Sequence, residues 1–163
     1  MKSKYENFLK LTKLLNNKFN IQPLLYGSLG LEVLTGENFN ADDIDILIPE
    51  IFIKDKWIEF MNYLEANGYE MVDLHEHTFK KDKCHFSFSF IESLKSFANI
   101  EEENLANNTV KDCTYKLMNL QQYLAVYEAS SKDSYRKKIE KNKKDENKIK
   151  FIKKLLAVEN VQL

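Results

Sequence analysis

Two aspartates at the start of a predicted strand, Asp43 and Asp45, are the residues of this 163-residue chain best suited to chemistry. Side chains at positions i and i+2 of a strand point to the same side, so both carboxylates project together while Ile44 enters the core. Two like charges roughly 6–7 Å apart repel each other unless a cation lies between them. Mg²⁺, with Mn²⁺ as the alternative, is the predicted cation because it prefers one or two carboxylates together with substrate phosphates.

A glycine and a serine, Gly27 and Ser28, follow a short apolar strand, and fourteen residues separate Ser28 from Asp43. Because glycine has no Cβ, the backbone at Gly27 can approach a phosphate closely. The hydroxyl of Ser28 and the amides at the start of the next helix can then hold phosphate oxygens. The segment is therefore predicted to bind a phosphate group opposite the two aspartates.

The pattern apolar-Gly-Ser, a spacer and Asp-apolar-Asp-apolar resembles the nucleotidyltransferase superfamily, whose fold is shared with DNA polymerase β. It looks most like the small bacterial members, which include aminoglycoside and lincosamide nucleotidyltransferases, and the likeness covers about the N-terminal two thirds of the chain. The resemblance implies transfer of a nucleoside monophosphate from a nucleoside triphosphate, such as ATP, to a hydroxyl-bearing small molecule or macromolecule. It implies that Gly27 and Ser28 bind the triphosphate and that Asp43 and Asp45 are catalytic residues that bind the metal.

A third carboxylate is usual in this family on a later strand, and Asp73 is the best candidate. Alternation along a strand predicted over 69–80 places Asp73, His75 and His77 on one polar face. Asp73 is therefore expected to bind metal or to act as the general base on the acceptor hydroxyl. Either histidine is an alternative base, because imidazole titrates near neutral pH.

The last predicted strand of the core has serines where some relatives carry the acid. These residues are Ser87 and Ser89, which point away from the apolar face of that strand. A second hypothesis follows, namely a catalytically silent copy of the fold that binds nucleotide or a protein partner.

Residues 132–154 form a basic segment, with eleven Lys or Arg against four Asp or Glu in a chain of net charge -1. Arg136, the one arginine of the chain, is predicted with Lys144 and Lys148 to reach the triphosphate or an acidic acceptor. Alternatively, Asp145 caps the last helix and the lysines face water. Binding of nucleic acid is a third interpretation, which the acidic remainder of the chain disfavours.

The order of predicted elements indicates an α+β fold with a small mixed sheet of about four to five strands, packed with helices and followed by C-terminal helices. Residues 1–105 are expected to form the nucleotidyltransferase-like core, and residues 106–163 a helical segment packed on it. Apolar spacing predicts helices over 4–19, 55–67, 114–129 and 145–158, and strands over 24–26, 43–48, 69–80 and 84–91.

Composition and length are those of a folded protein with one main core, at 44% hydrophobic and 30% charged residues. No apolar run approaches the roughly 20 residues that a membrane span needs. The N-terminus lacks the features of a signal peptide, and Cys84 and Cys113 do not have the spacing of metal ligands. A cytoplasmic protein that does not bind membranes is therefore expected.

Overall fold

The computed structural model describes the backbone of residues 2–133 and 139–162, and the side chains of residues 3–132 and 144–159. The described residues form six α-helices and seven strands. Across these residues, no helix combines the length and the apolar character that crossing a membrane requires.

The chain divides into two compact units, and the first of them contains the sheet. The first unit comprises Met1–Glu92 and Leu105–Leu117. Its elements are α1 (Lys2–Phe19), β1 (Leu24–Tyr26), α2 (Gly27–Thr35), β2 (Ile44–Ile48), a 3₁₀ turn (Glu50–Phe52), α3 (Trp57–Ala66), β3 (Glu70–Asp73), β4 (Thr78–Lys81), β5 (Cys84–Phe90), β6 (Ala106–Val110) and β7 (Cys113–Leu117). The second unit comprises Ser93–Asn104 and Met118–Leu163, with helices α4 (Ser93–Ala98), α5 (Leu120–Asp133) and α6 (Ile139–Gln162) and a 3₁₀ turn (Glu102–Asn104).

The seven strands form one mixed sheet in the order β3-β4-β5-β2-β1-β7-β6. Strand β2 is parallel to β5, and β1 is parallel to β7, whereas the other neighbours are antiparallel. Because β1 and β2 are antiparallel, the end of β1 lies beside the start of β2, and Tyr26 pairs with Asp45. This register brings the Gly-Ser segment and the aspartates to the same end of the sheet.

Strand β2 is central, and its residues are buried on both faces with one exception. Ile44, Ile46, Leu47 and Ile48 are all buried, whereas Asp45 is half-buried. A carboxylate in a buried strand is costly unless it is hydrogen-bonded or binds a charged group. Asp45 is therefore the one polar residue of an otherwise apolar strand.

The sheet has two strands more than the upper estimate from the sequence, because β6 and β7 arise from residues 106–117, which the sequence assigned to a helical segment. Strand β6 contains Asn107 and Asn108, lies at the sheet edge and lacks the apolar alternation that marks a strand. The turn before β7 uses Lys111 and Asp112 at φ 50° and 63°, without the glycine that usually marks a two-residue hairpin. The first unit accordingly includes these two strands, whereas residues 93–104 belong to the second unit.

Residues 69–80 form two strands, β3 and β4, and not the single strand predicted. Asp73 ends β3, and its Oδ1 accepts a hydrogen bond from the Glu76 amide at 3.1 Å. The turn then closes at His77, which adopts φ 52°. Such left-handed residues reverse the chain, so the alternation predicted through His77 stops at Asp73.

Candidate active site

The turn from β1 into α2 requires glycine at position 27. Gly27 has φ +66°, a left-handed conformation that other residues adopt at a cost. A Cβ at this position would lie 2.6 Å from Oδ2 of Asp45. The turn therefore places the backbone of Gly27 directly against the carboxylate of Asp45.

Helix α2 begins next to this carboxylate. The helix begins at Gly27, and Tyr26 at its N-cap makes no side-chain hydrogen bond to the helix. The first amides of a helix carry a partial positive charge and point outward, which makes them an anion-binding group. Ser28, half-buried in the first turn, adds a hydroxyl at the same place.

Asp43 and Asp45 provide two carboxylates at the start of β2. Asp45 is half-buried, and Asp43 is exposed immediately before the strand. Within the described part of the chain, no three His, Cys, Asp or Glu side chains gather to hold a metal ion by themselves. The aspartate pair fits Mg²⁺ in another way, because this ion usually binds one or two protein carboxylates and completes its ligands with substrate phosphates and water.

Asp73 is not brought to this pair. Asp45 pairs across the sheet with Ser87 on β5, and Ser87 pairs with Thr78 on β4. Asp73 pairs with Thr78, so it is three strands away from Asp45 and its Cα is about 14 Å distant at ordinary strand spacing. One metal ion cannot bind carboxylates on backbones so far apart.

Ser87, one of the two serines predicted on the last strand of the core, lies beside Asp45 on β5. Its hydroxyl lies 2.8 Å from the hydroxyl of Thr78. Ser89, two residues further along the strand, pairs with Leu47 and is exposed. The neighbour of Asp45 on β5 is therefore a hydrogen-bonded hydroxyl and not a carboxylate.

The two histidines differ in their surroundings. His75 lies in the β3–β4 turn with its side chain 93% exposed. The ring of His77 packs edge-on against Trp57, with centroids 5.0 Å apart. Burial lowers the pKa of His77, which favours the neutral form. His77 therefore serves as a packed ring, and the common polar face predicted for Asp73 and the histidines does not form.

The predicted phosphate-binding cations of the C-terminal segment belong to the second unit. Arg136 lies outside the described residues, and Lys144 is exposed. Lys148 is half-buried, with its Nζ 5.1 Å from the centroid of the Tyr127 ring. Asp145 is 4% exposed and lies inside α6, which begins at Ile139, so it does not cap the helix as one interpretation expected.

A buried acid near the site, Glu32 in α2, was not singled out from the sequence. It is 1% exposed, and its Oε1 accepts hydrogen bonds from the amides of Phe39 and Ala41 at 3.0 and 3.1 Å. The sequence could have indicated this residue, because Glu32 is a charged residue within the otherwise apolar segment of α2, four positions after Ser28.

Two solved structures share the fold of the chain, whereas no family model matches it. A nucleotidyltransferase-like protein from Paracoccidioides brasiliensis superposes with a TM-score of 0.61 at 13% identity, over 91% of this chain and 75% of that one. The antibiotic-resistance factor ANT(2'')-Ia superposes with a TM-score of 0.53 at 12% identity, over 99% of this chain and 96% of that one. These likenesses confirm the nucleotidyltransferase-like fold predicted from the sequence pattern.

One relative is much more similar to the chain in sequence than these two structures are. The uncharacterised protein YnaI of Bacillus subtilis (strain 168) is 44% identical over 152 residues, which cover 93% of this chain and 97% of that protein. Identity at this level over nearly the full length of both chains indicates common descent. The chain therefore belongs to the same protein family as YnaI, and it has the nucleotidyltransferase-like fold.

Proposed function

We propose that the chain is a Mg²⁺-dependent nucleotidyltransferase, which moves a nucleoside monophosphate from a nucleoside triphosphate to a hydroxyl-bearing small molecule or macromolecule. The observation that carries this proposal is the contact between the turn at Gly27 and the carboxylate of Asp45. A helix N-terminus attracts anions and an aspartate pair attracts cations, so the two side by side suit a ligand that carries both charges. A metal-bound triphosphate is such a ligand.

In the proposed reaction, the amides of α2 and the Ser28 hydroxyl bind triphosphate oxygens, and Asp43 and Asp45 hold Mg²⁺. The acceptor oxygen forms a bond to the α-phosphorus while the bond to pyrophosphate breaks, and the hydroxyl proton passes to a base. Mg²⁺, when bound, neutralises charge that develops on the phosphoryl oxygens. The chain's own contribution is to align the triphosphate for in-line attack, since phosphoryl chemistry depends on positioning and charge stabilisation.

A titration of melting temperature tests the proposal without knowledge of the acceptor. ATP, GTP, CTP and UTP are added with Mg²⁺ to the wild type and to Asp43→Asn. A ligand at 100 times its Kd stabilises the fold by about 2.7 kcal/mol, which raises the melting temperature of a domain of this size by roughly 5–10 °C. We expect such a rise for at least one triphosphate, dependent on Mg²⁺ and absent from the variant. No rise with any triphosphate would contradict the proposal.

A second candidate function is a silent copy of the fold that binds nucleotide or a protein partner without transfer. The observation in its favour is the Ser87–Thr78 hydroxyl pair beside Asp45, because a serine is not a base at neutral pH. The position of Asp73 on β3, three strands away from Asp45, supports this candidate further.

The variant Ser87→Asp tests whether the position beside Asp45 belongs to a metal site. A third carboxylate there repels Asp45, so we expect the melting temperature in EDTA to fall by about 2–4 °C for each kcal/mol of repulsion. MgCl₂ should restore this loss and stabilise the variant more than the wild type. Ser89→Asp is the control on the same strand, two residues further from Asp45. An equal response to MgCl₂ in both variants would show that Ser87 does not adjoin a cation site.

A further inference from the structure

Glu32 is the one buried carboxylate of the described part of the first unit, and its hydrogen bonds lead toward the candidate site. A buried charge is tolerated when it accepts hydrogen bonds, and Oε1 of Glu32 accepts two from backbone amides. Both donors, Phe39 and Ala41, lie in the loop that connects α2 to β2. Ala41 is two residues before Asp43, so Glu32 joins α2 to the segment that carries the aspartates.

Several other hydrogen bonds of this loop have different partners. The Gly36 amide donates to the Glu32 carbonyl and ends the helix, and the Asn40 amide donates to Asn38 within the loop. The Ala41 carbonyl accepts from Lys4 of α1, which fixes the same residue to a different helix. Glu32 thus links Phe39 and Ala41 of this loop directly to α2.

Glu32 also lies on the same face of α2 as Ser28. Residues four apart in a helix are neighbours on its surface, one turn along the axis. The start of α2 touches the Asp45 carboxylate at Gly27, and the next turn holds the loop at Ala41 through Glu32. These two contacts lie at different positions along the axis of α2. Together they restrict both the distance and the tilt of α2 relative to the start of β2.

We propose that Glu32 is a positioning residue, which holds Asp43 and Asp45 in register with Gly27 and Ser28 so that a metal and a triphosphate bind together. The expected effect on triphosphate binding rests on the proposed function, whereas the link between α2 and the aspartate segment does not depend on it. The carboxylate acts through its acceptor oxygen, so an amide at the same place should substitute for it, whereas a shorter carboxylate should not.

The test compares Glu32→Gln, Glu32→Asp and Glu32→Ala with the wild type, and Lys4→Met serves as the matched control at Ala41. Amide exchange and ¹⁵N chemical shifts are measured without ligand, and Mg²⁺–triphosphate affinity is measured with the triphosphate that the thermal titration selects. We expect Glu32→Ala and Glu32→Asp to speed exchange at Phe39 and Ala41 and to weaken triphosphate binding about tenfold or more. Glu32→Gln should remain within about threefold of the wild type, and Lys4→Met should leave triphosphate affinity unchanged.

Two results would overturn the inference. The first is faster exchange in the loop without any shift at Asp43 and Asp45 or any loss of affinity, which would make Glu32 a support of the loop alone. The second is Glu32→Asp binding as well as Glu32→Gln, a comparison that decides the matter if Glu32→Ala does not fold. If the wild type binds no triphosphate, the proposed function fails, and the ligand-free shifts at Asp43 and Asp45 still decide whether Glu32 positions them.

Discussion

Replacing Asp45 with asparagine is expected to lower the rate of nucleotidyl transfer by about 10²–10³-fold while the protein stays folded. Asparagine keeps the shape of the side chain and one oxygen, but it removes the negative charge that would bind Mg²⁺. Loss of a group that stabilises transition-state charge costs about several kcal/mol, and each 1.36 kcal/mol is a factor of ten in rate. The rate is measured as pyrophosphate release from the triphosphate, with an acceptor found by screening the wild type.

Asp42→Asn is the matched control for this variant. Asp42 is exposed and lies two positions before Ile44, so the substitution removes one negative charge from the loop that leads into β2. We expect its rate to stay within about twofold of the wild type, because an exposed charge that binds nothing contributes little. Wild-type turnover in Asp45→Asn, or an equal loss in Asp42→Asn, would contradict the assignment of Asp45 as a metal ligand.

The part of the site that could be predicted from sequence is the part made by neighbouring elements. Gly27, Ser28 and Asp45 lie within one strand-helix-strand segment, and an antiparallel pairing of its two strands brings them together. Two of these residues also give a clear local signal in the sequence, because the glycine indicates a turn and the aspartate interrupts an apolar strand. The structure of such a short segment depends mainly on neighbouring residues, so residue propensities and apolar alternation predict it well.

The third carboxylate could not be predicted in the same way, because its position depends on where a strand ends. The segment from Leu74 to His77 contains no glycine or proline, yet it forms a turn held by Asp73 and closed by a left-handed residue. A residue in the left-handed region without glycine leaves no clear signal in one sequence. Without that turn, alternation wrongly continues one polar face through the histidines.

The edge strand β6 could not be predicted from the sequence either. Strand β6 is rich in asparagine and none of its residues is buried, so it needs no apolar alternation to remain at the edge. Its pairing with β7 supplies the hydrogen bonds that its own side chains do not predict. Glu32 was missed for the opposite reason, since its role depends on a loop that folds back onto the helix, and no local pattern records that contact.

Gly27→Ala is expected to destabilise the protein and to weaken triphosphate binding together. An alanine at φ +66° costs roughly 1–2 kcal/mol, and its Cβ would lie 2.6 Å from Oδ2 of Asp45. Such a contact forces either the carboxylate or the start of α2 to move, and both belong to the proposed site. We expect a fall in melting temperature of at least about 2–4 °C, from the conformational cost alone, and a loss of at least about tenfold in triphosphate affinity.

Gly36→Ala separates the cost of the backbone conformation from the effect on the site. Gly36 has φ +80° at the end of the same helix, and a Cβ there meets no atom within 4 Å. We therefore expect a comparable conformational cost in melting temperature with triphosphate affinity unchanged. If both variants lose affinity equally, the effect comes from α2 as a whole. If Gly27→Ala keeps wild-type affinity, the approach of Gly27 to Asp45 is a packing contact, and the observation on which the proposed function depends is removed.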